Sequence, residues 1–176
     1  MANIVYVAES LDGYIAGPNG ELDWLNSIPK PENCDYGWGE FIDRIDAILM
    51  GKNTFDVVLS FGEWHYTKPV FVLSNSLKNI PEKLNDKCSL ISGSVSEVVS
   101  ELNNKGYKNI YVDGGKVIQS FLNEGLIDEL IITKIPVLLG DGIPLFSNLT
   151  KTTNWKLIKS VQYENDLVKC YYKIGK

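Results

Sequence analysis

The chain is poor in the residues that build metal and redox centres. Its 176 residues include one histidine, His65, and three cysteines, Cys34, Cys88 and Cys170. The odd count and wide spacing give no disulfide framework and no paired zinc-ligand spacing, so no metal is expected. Cys34 is the candidate reactive thiol, although a lone cysteine more often serves packing. No apolar run approaches the length that crosses a bilayer. The N-terminus enters a strand-like run without the basic region of a signal peptide, which predicts a cytoplasmic protein. Positive charge is not in excess: the formal net charge is -5, which argues against nucleic acid or an anionic membrane as partner. No repeat, low-complexity segment or linker divides the chain. With 44% hydrophobic residues, residues 1–176 are expected to form one domain with a real core.

What is present is an alternation of strands and helices. Asn3 to Ala8 reads as a central strand, and Asp12 to Pro31 as a long Gly- and Pro-rich loop of the kind that often forms a lid. A helix is expected over Asp35–Asp46, a buried strand over Asp46–Met50, and a helix from Asn53 to about Leu59 with an N-x-x-D start. Strands follow at Pro69–Leu73 and Cys88–Ile91. Ser94 and Glu97 form a capping box for a helix ending at Gly106. Asp128–Ile135 is strongly β, and Val137–Phe146 reads as a loop. Trp155–Gln162 and Leu167–Ile174 alternate as a closing hairpin. This order predicts an α/β fold: a mostly parallel central sheet, helices on both faces and a C-terminal antiparallel hairpin.

Two junctions stand out. In Ile110-Tyr111-Val112-Asp113-Gly114-Gly115-Lys116-Val117-Ile118 a β-branched run ends in two glycines and a helical pattern begins at once. Such a turn aims bare N–H groups and the positive end of a helix dipole at its occupant, and phosphate is the natural one. The spacing is not that of the three-glycine dinucleotide fingerprint. Met50-Gly51-Lys52-Asn53-Thr54 is a second junction of this kind, with polar side chains and one positive charge. The plain alternatives are a tight turn, a capping Asn53 and a solvated Lys52. Ser74-Asn75 lies just past a strand end, where open α/β sheets bind ligands. Asp35 at a helix start is adequately explained as an N-cap, and Thr133 as a polar strand residue. Trp24, Trp38 and Trp64 are expected in the core rather than in a pocket.

These segments, in this order, resemble the dihydrofolate-reductase-like family, in the branch of the riboflavin-pathway reductase domain. Val7–Ala16 resembles its first strand and the loop over the nicotinamide, and Met50–Thr54 its M-G-R-x-T junction. Leu73-Ser74-Asn75 resembles its serine-bearing turn, and Val112–Gly115 its diphosphate loop. Pro136–Phe146 is similar to its late loop. The resemblance implies NADPH and hydride transfer to a C=N bond. It places Ala8, Ile15 and Ala16 at the nicotinamide, and Gly51, Lys52, Asn53 and Thr54 at phosphate. Ser74 and Asn75 fall at the adenosine end, and Asp113, Gly114, Gly115, Lys116 and Val117 at the diphosphate. Asp35 precedes Met50 by the interval found in bacterial dihydrofolate reductases. Thr133 matches the threonine that supports that carboxylate, so the two are the catalytic candidates toward a pyrimidine or pterin-like substrate. Lys52 stands in place of the usual arginine, which leaves the preference for NADPH over NADH open. Tyr6 stands where this branch usually has a lysine. The zinc deaminase motifs often found upstream are absent, as in a stand-alone member. Dihydrofolate reduction and a non-catalytic NADPH-binding module remain the alternatives. The family and the exposed hairpin edge imply a homodimer.

Overall fold

The computed structural model describes residues 1–175. The strands are β1 (Ala2–Ser10), β2 (Tyr14–Ala16), β3 (Ala47–Gly51), β4 (Val70–Leu73), β5 (Cys88–Ile91), β6 (Asn109–Asp113), β7 (Glu129–Ile135), β8 (Ile143–Pro144), β9 (Trp155–Gln162) and β10 (Val168–Ile174). The helices are α1 (Asp23–Asn26), α2 (Trp38–Asp43), α3 (Lys52–Ser60), α4 (Val95–Asn104) and α5 (Gly115–Glu124). Eight strands form one sheet in the order β5-β4-β3-β6-β1-β7-β10-β9, while β2 and β8 pair separately. From β5 to β7 every pair is parallel. The last two pairs, β7 with β10 and β10 with β9, are antiparallel.

The central strands are apolar on both faces because both faces are covered. On one side α4 buries Val95, Val98, Val99 and Leu102, and α5 buries Val117, Ile118, Phe121 and Leu122. They pack on Val5, Leu49 and Val112. On the other side Phe41 and Phe55 pack on Ile4, Ile48, Met50 and Tyr111. Each fully buried aliphatic or phenyl side chain contributes roughly 1.5–3 kcal/mol. The Ser94 hydroxyl accepts from the Glu97 amide and the Glu97 carboxylate accepts from the Ser94 amide, so the expected capping box is formed. The mostly parallel sheet, the helices on both faces and the closing hairpin follow the sequence expectation.

Three local readings are corrected. The helix expected over Asp35–Asp46 is only Trp38–Asp43, because Gly37 is left-handed at φ 75° and stops it upstream. Asn53 does not cap α3. Gly51 holds the N-cap position without a side-chain cap, and Asp56 instead pairs with Lys52 at 2.5 Å. The two long loops each contain a short strand: Tyr14 and Ala16 pair with Pro144 and Ile143. Neither strand is long enough to show a period of two in sequence. Among the described residues no helix is long and apolar enough to cross a membrane.

Candidate functional site

The carboxyl ends of the parallel strands lie along one edge of the sheet and carry most of the sequence candidates. In the β3–β6 ladder Met50 sits opposite Asp113, and in the β3–β4 ladder Gly51 sits opposite Leu73. The two glycine junctions are therefore direct neighbours, with Ser74 beside them. Their contact depends on missing side chains. A Cβ on Gly114 would lie 2.3 Å from the Thr54 hydroxyl oxygen, and one on Gly51 would lie 3.1 Å from a Val117 methyl. A Cβ on Gly115 would lie 2.9 Å from the Ile15 Cδ1. Gly51, Thr54, Gly114, Gly115, Val117 and Ile15 are thus brought together.

Neither α3 nor α5 has a side-chain cap at its N-terminus. The amide groups of both first turns and the positive ends of both dipoles converge on one place, the electrostatics of an anion site. Two acids temper this. The Asp113 carboxylate accepts the Gly114 amide at 2.8 Å, so one of the expected bare N–H groups is engaged within the chain. Burial pushes the Asp113 carboxyl up to about 6, against the Gly114 hydrogen bond. Asp56 balances the Lys52 charge, whereas Lys116 is exposed and enters none of the ion pairs of the described residues. The Ser74 hydroxyl accepts from the Ser76 and Leu77 amides at 3.1 and 3.0 Å. Beside it Ser74, Asn75, Leu77, Leu90, Ile91 and Ser92 line an open depression of about 310 Å³. Ala16 is buried on β2. Asn53 is exposed on the first turn of α3.

Toward the hairpin, Ala8 sits opposite Thr133, and Thr133 opposite Lys169, forming one row on one face of the sheet. Asp35 and Thr133 share no hydrogen bond. Asp35 accepts the Gly37 and Gly39 amides at 2.7 and 2.9 Å and is solvent-exposed. These two bonds, with Lys169 nearby, hold its carboxyl below the usual range. It is not the N-cap of α2, a position held by Gly37 without a side-chain cap, but these amides keep it ionised. Trp38 packs edge-on to Tyr6 with ring centroids 5.5 Å apart. Trp38 and Trp64 join the core as expected, while Trp24 donates to the Glu21 carbonyl at the surface.

Sequence reasoning missed the buried centre of this face. Lys169 is 0% exposed. Its ammonium donates to the Tyr6 hydroxyl at 2.5 Å and to the Tyr36 carbonyl. That carbonyl also accepts from the hydroxyls of Tyr6 at 2.9 Å and Tyr163 at 3.3 Å. Burial lowers the Lys169 ammonium to about 8 and raises the Tyr6 hydroxyl. The one sequence signal was a lysine set among the apolar residues of β10, between Val168 and Cys170. The opposite face hides a second charge missed in sequence, Glu9, which is 3% exposed and paired with Lys134 at 2.7 Å.

The sheet order, the glycine junctions and the closing hairpin define a dihydrofolate-reductase-like fold. Dihydrofolate reductase from Enterococcus faecalis, solved with NADP(H), superposes with a TM-score of 0.68 at 16% identity, covering 99% of this chain and 97% of that one. The chain belongs to the RibD C-terminal domain family, which it matches over residues 3–169. The uncharacterized Bacillus subtilis protein YwjB is 33% identical over 164 residues, 91% of each chain. A provisionally named riboflavin biosynthesis protein of Shewanella sp. PV-4 is 47% identical with a TM-score of 0.96, and each chain is covered in full. The Thermotoga maritima deaminase and 5-amino-6-(5-phosphoribosylamino)uracil reductase has the same fold, with a TM-score of 0.74 at 14% identity. This chain spans 56% of that protein's length.

Proposed function

We propose that the protein is an NADPH-dependent reductase of a small heterocyclic or Schiff-base substrate, nearest in kind to 5-amino-6-(5-phosphoribosylamino)uracil reductase. The carrying observation is the pair of uncapped helix N-termini, set side by side by the Met50–Asp113 register and packed through Gly114 against Thr54. Two such ends suit a ligand with more than one phosphate. Gly114, Gly115, Lys116 and Val117 would hold the diphosphate. Lys52, Asn53 and Thr54 would hold phosphate, Ser74 and Asn75 the adenosine end, and Ala8, Ile15 and Ala16 the nicotinamide ring. When bound, the cofactor supplies the hydride for a C=N carbon. The chain's own part is to orient the ring against β1 and to keep water from it with the paired strands β2 and β8. Ionised Asp35 suits recognition of an amino-substituted ring edge better than proton donation.

One observation favours a second reading, a non-catalytic cofactor-binding module: the Tyr36 carbonyl and the Tyr6 and Trp38 rings cover the face beside Thr133. Titration with NADPH and with NADH, followed by nicotinamide fluorescence, tests the cofactor assignment. Saturable NADPH binding with oxidation on adding a pyrimidine or pterin supports a reductase. Binding without turnover supports the module, and binding of neither nucleotide overturns both.

A further inference from the structure

Lys169 is a buried cation without a counter-charge. Among the described residues no carboxylate forms an ion pair with it. The nearest acid influence, Asp35, is committed to the Gly37 and Gly39 amides. An ammonium taken out of water in this way is unfavourable unless another group repays the loss. Functional sites are where such groups are found. The oxygens that satisfy it are a phenol and a main-chain carbonyl. Aromatic faces complete its surroundings: the Tyr6 ring centroid is 4.4 Å from the nitrogen and that of Tyr163 is 5.7 Å away.

The carbonyl comes from a segment held by polar contacts rather than by burial. Residues 27–37 include no fully buried residue. Asn33 and Tyr36 are left-handed at φ 54° and 56°, a strained state for side chains other than glycine. Polar straps to the hairpin fasten the segment. Asn165 donates to the Pro29 carbonyl at 3.0 Å and to the Tyr36 hydroxyl at 2.8 Å, and Tyr163 donates to the Tyr36 carbonyl. Such a segment opens at lower cost than the core beneath it.

We propose that Lys169 is a ligand-binding cation, latched in this state by the Tyr36 carbonyl, and that it takes an anionic ring oxygen of a small heterocycle when residues 27–37 swing away. The incoming oxygen replaces the Tyr36 carbonyl on the ammonium, and the Tyr6 and Tyr163 rings flank the heterocycle. Lys169 lies in the same row as Ala8 and Thr133, which puts this oxygen on the substrate side of the proposed nicotinamide position. The inference deepens the reductase reading and rests on it for the identity of the ring.

Calorimetric titration with barbiturate, anionic at neutral pH, and with uracil, a neutral ring of similar shape, tests this with and without NADPH. The wild type is expected to prefer barbiturate. Lys169→Met is expected to bind barbiturate about thirtyfold more weakly or worse, to lose the preference, and to bind NADPH unchanged. Tyr6→Phe, which keeps the ring, is expected to show a smaller loss of the same kind. Hydrogen exchange in residues 27–37 is expected to change on adding barbiturate to the wild type and not to Lys169→Met. Equal binding of the two rings, binding of neither, or unchanged barbiturate affinity in Lys169→Met overturns the proposal. Failure to bind NADPH would overturn the reductase reading alone, because the barbiturate arm without nucleotide still decides the role of Lys169.

Discussion

Gly114→Ala tests the packing of the two junctions most directly. Gly114 has φ +92°, and its new Cβ would stand 2.3 Å from the Thr54 hydroxyl, 3.4 Å from the Thr54 Cβ and 3.8 Å from the Gly51 nitrogen. Two costs combine. Holding a side-chain-bearing residue in this backbone region costs about 1–3 kcal/mol. Relieving the overlap by turning Thr54 or parting β3 from β6 costs about 1–3 kcal/mol more. The expected destabilisation is therefore roughly 2–6 kcal/mol, or about 4–24 °C in Tm for a chain of this size. Urea unfolding measures it, with Thr54→Ala and the double variant completing a cycle. Removing the Thr54 side chain from the Gly114→Ala background should recover the overlap part, about 1–3 kcal/mol, and leave the backbone part. A Gly114→Ala variant within about 0.5 kcal/mol of wild type, or a cycle with no coupling, would refute the close-packed junction.

Four further outcomes are expected. The Asp113 carboxyl titrates near 6 rather than its ordinary 3.8, so the folded chain holds the extra proton between those values. Stability should fall as pH rises through that window, NADP⁺ should bind more tightly at pH 5 than at pH 7, and Asp113→Asn should flatten both profiles. Asp12 accepts from the Ser10 hydroxyl at 2.6 Å and the Gly140 amide at 2.8 Å, which lowers it to about 2. Its contribution is present above its unfolded value near 3.8 and lost as pH falls toward 2. Asp12→Ala should weaken nucleotide binding by loosening the β8 segment, which equilibrium titration would show. Lys169 titrates near 8 folded against 10.5 unfolded, so stability should rise with pH between those values. Lys169→Met should abolish that rise in urea titrations run across the window. Finally, edge strand β9 exposes Leu157 and Ile158 at 52% and 50%, and we propose that this edge carries the homodimer. Sedimentation showing only monomer at micromolar concentration would remove it.

The sequence by itself determined the features that depend on neighbours along the chain. The capping box at Ser94–Glu97, the hairpin strands and the glycine turn at Gly114 were legible because local geometry selects serine, alternation and glycine. The adjoining glycine junctions were legible for the same reason, since each is a continuous strand-turn-helix segment. The boundary of α2 was obscured because the left-handed Tyr36 and Gly37 separate Asp35 from the first helical residue, Trp38. Only the tertiary structure could decide the rest. That Asp113 would occupy the Gly114 amide and that Lys52 would be balanced by Asp56 depended on side-chain choices among competing partners. Lys169 met Tyr6 and Tyr36 through contacts separated by 163 and 133 residues. A lysine in an alternating strand reads as solvent-facing until its partner strands fix which face is covered. Strand register is set by the packing of the whole sheet rather than by the strand itself.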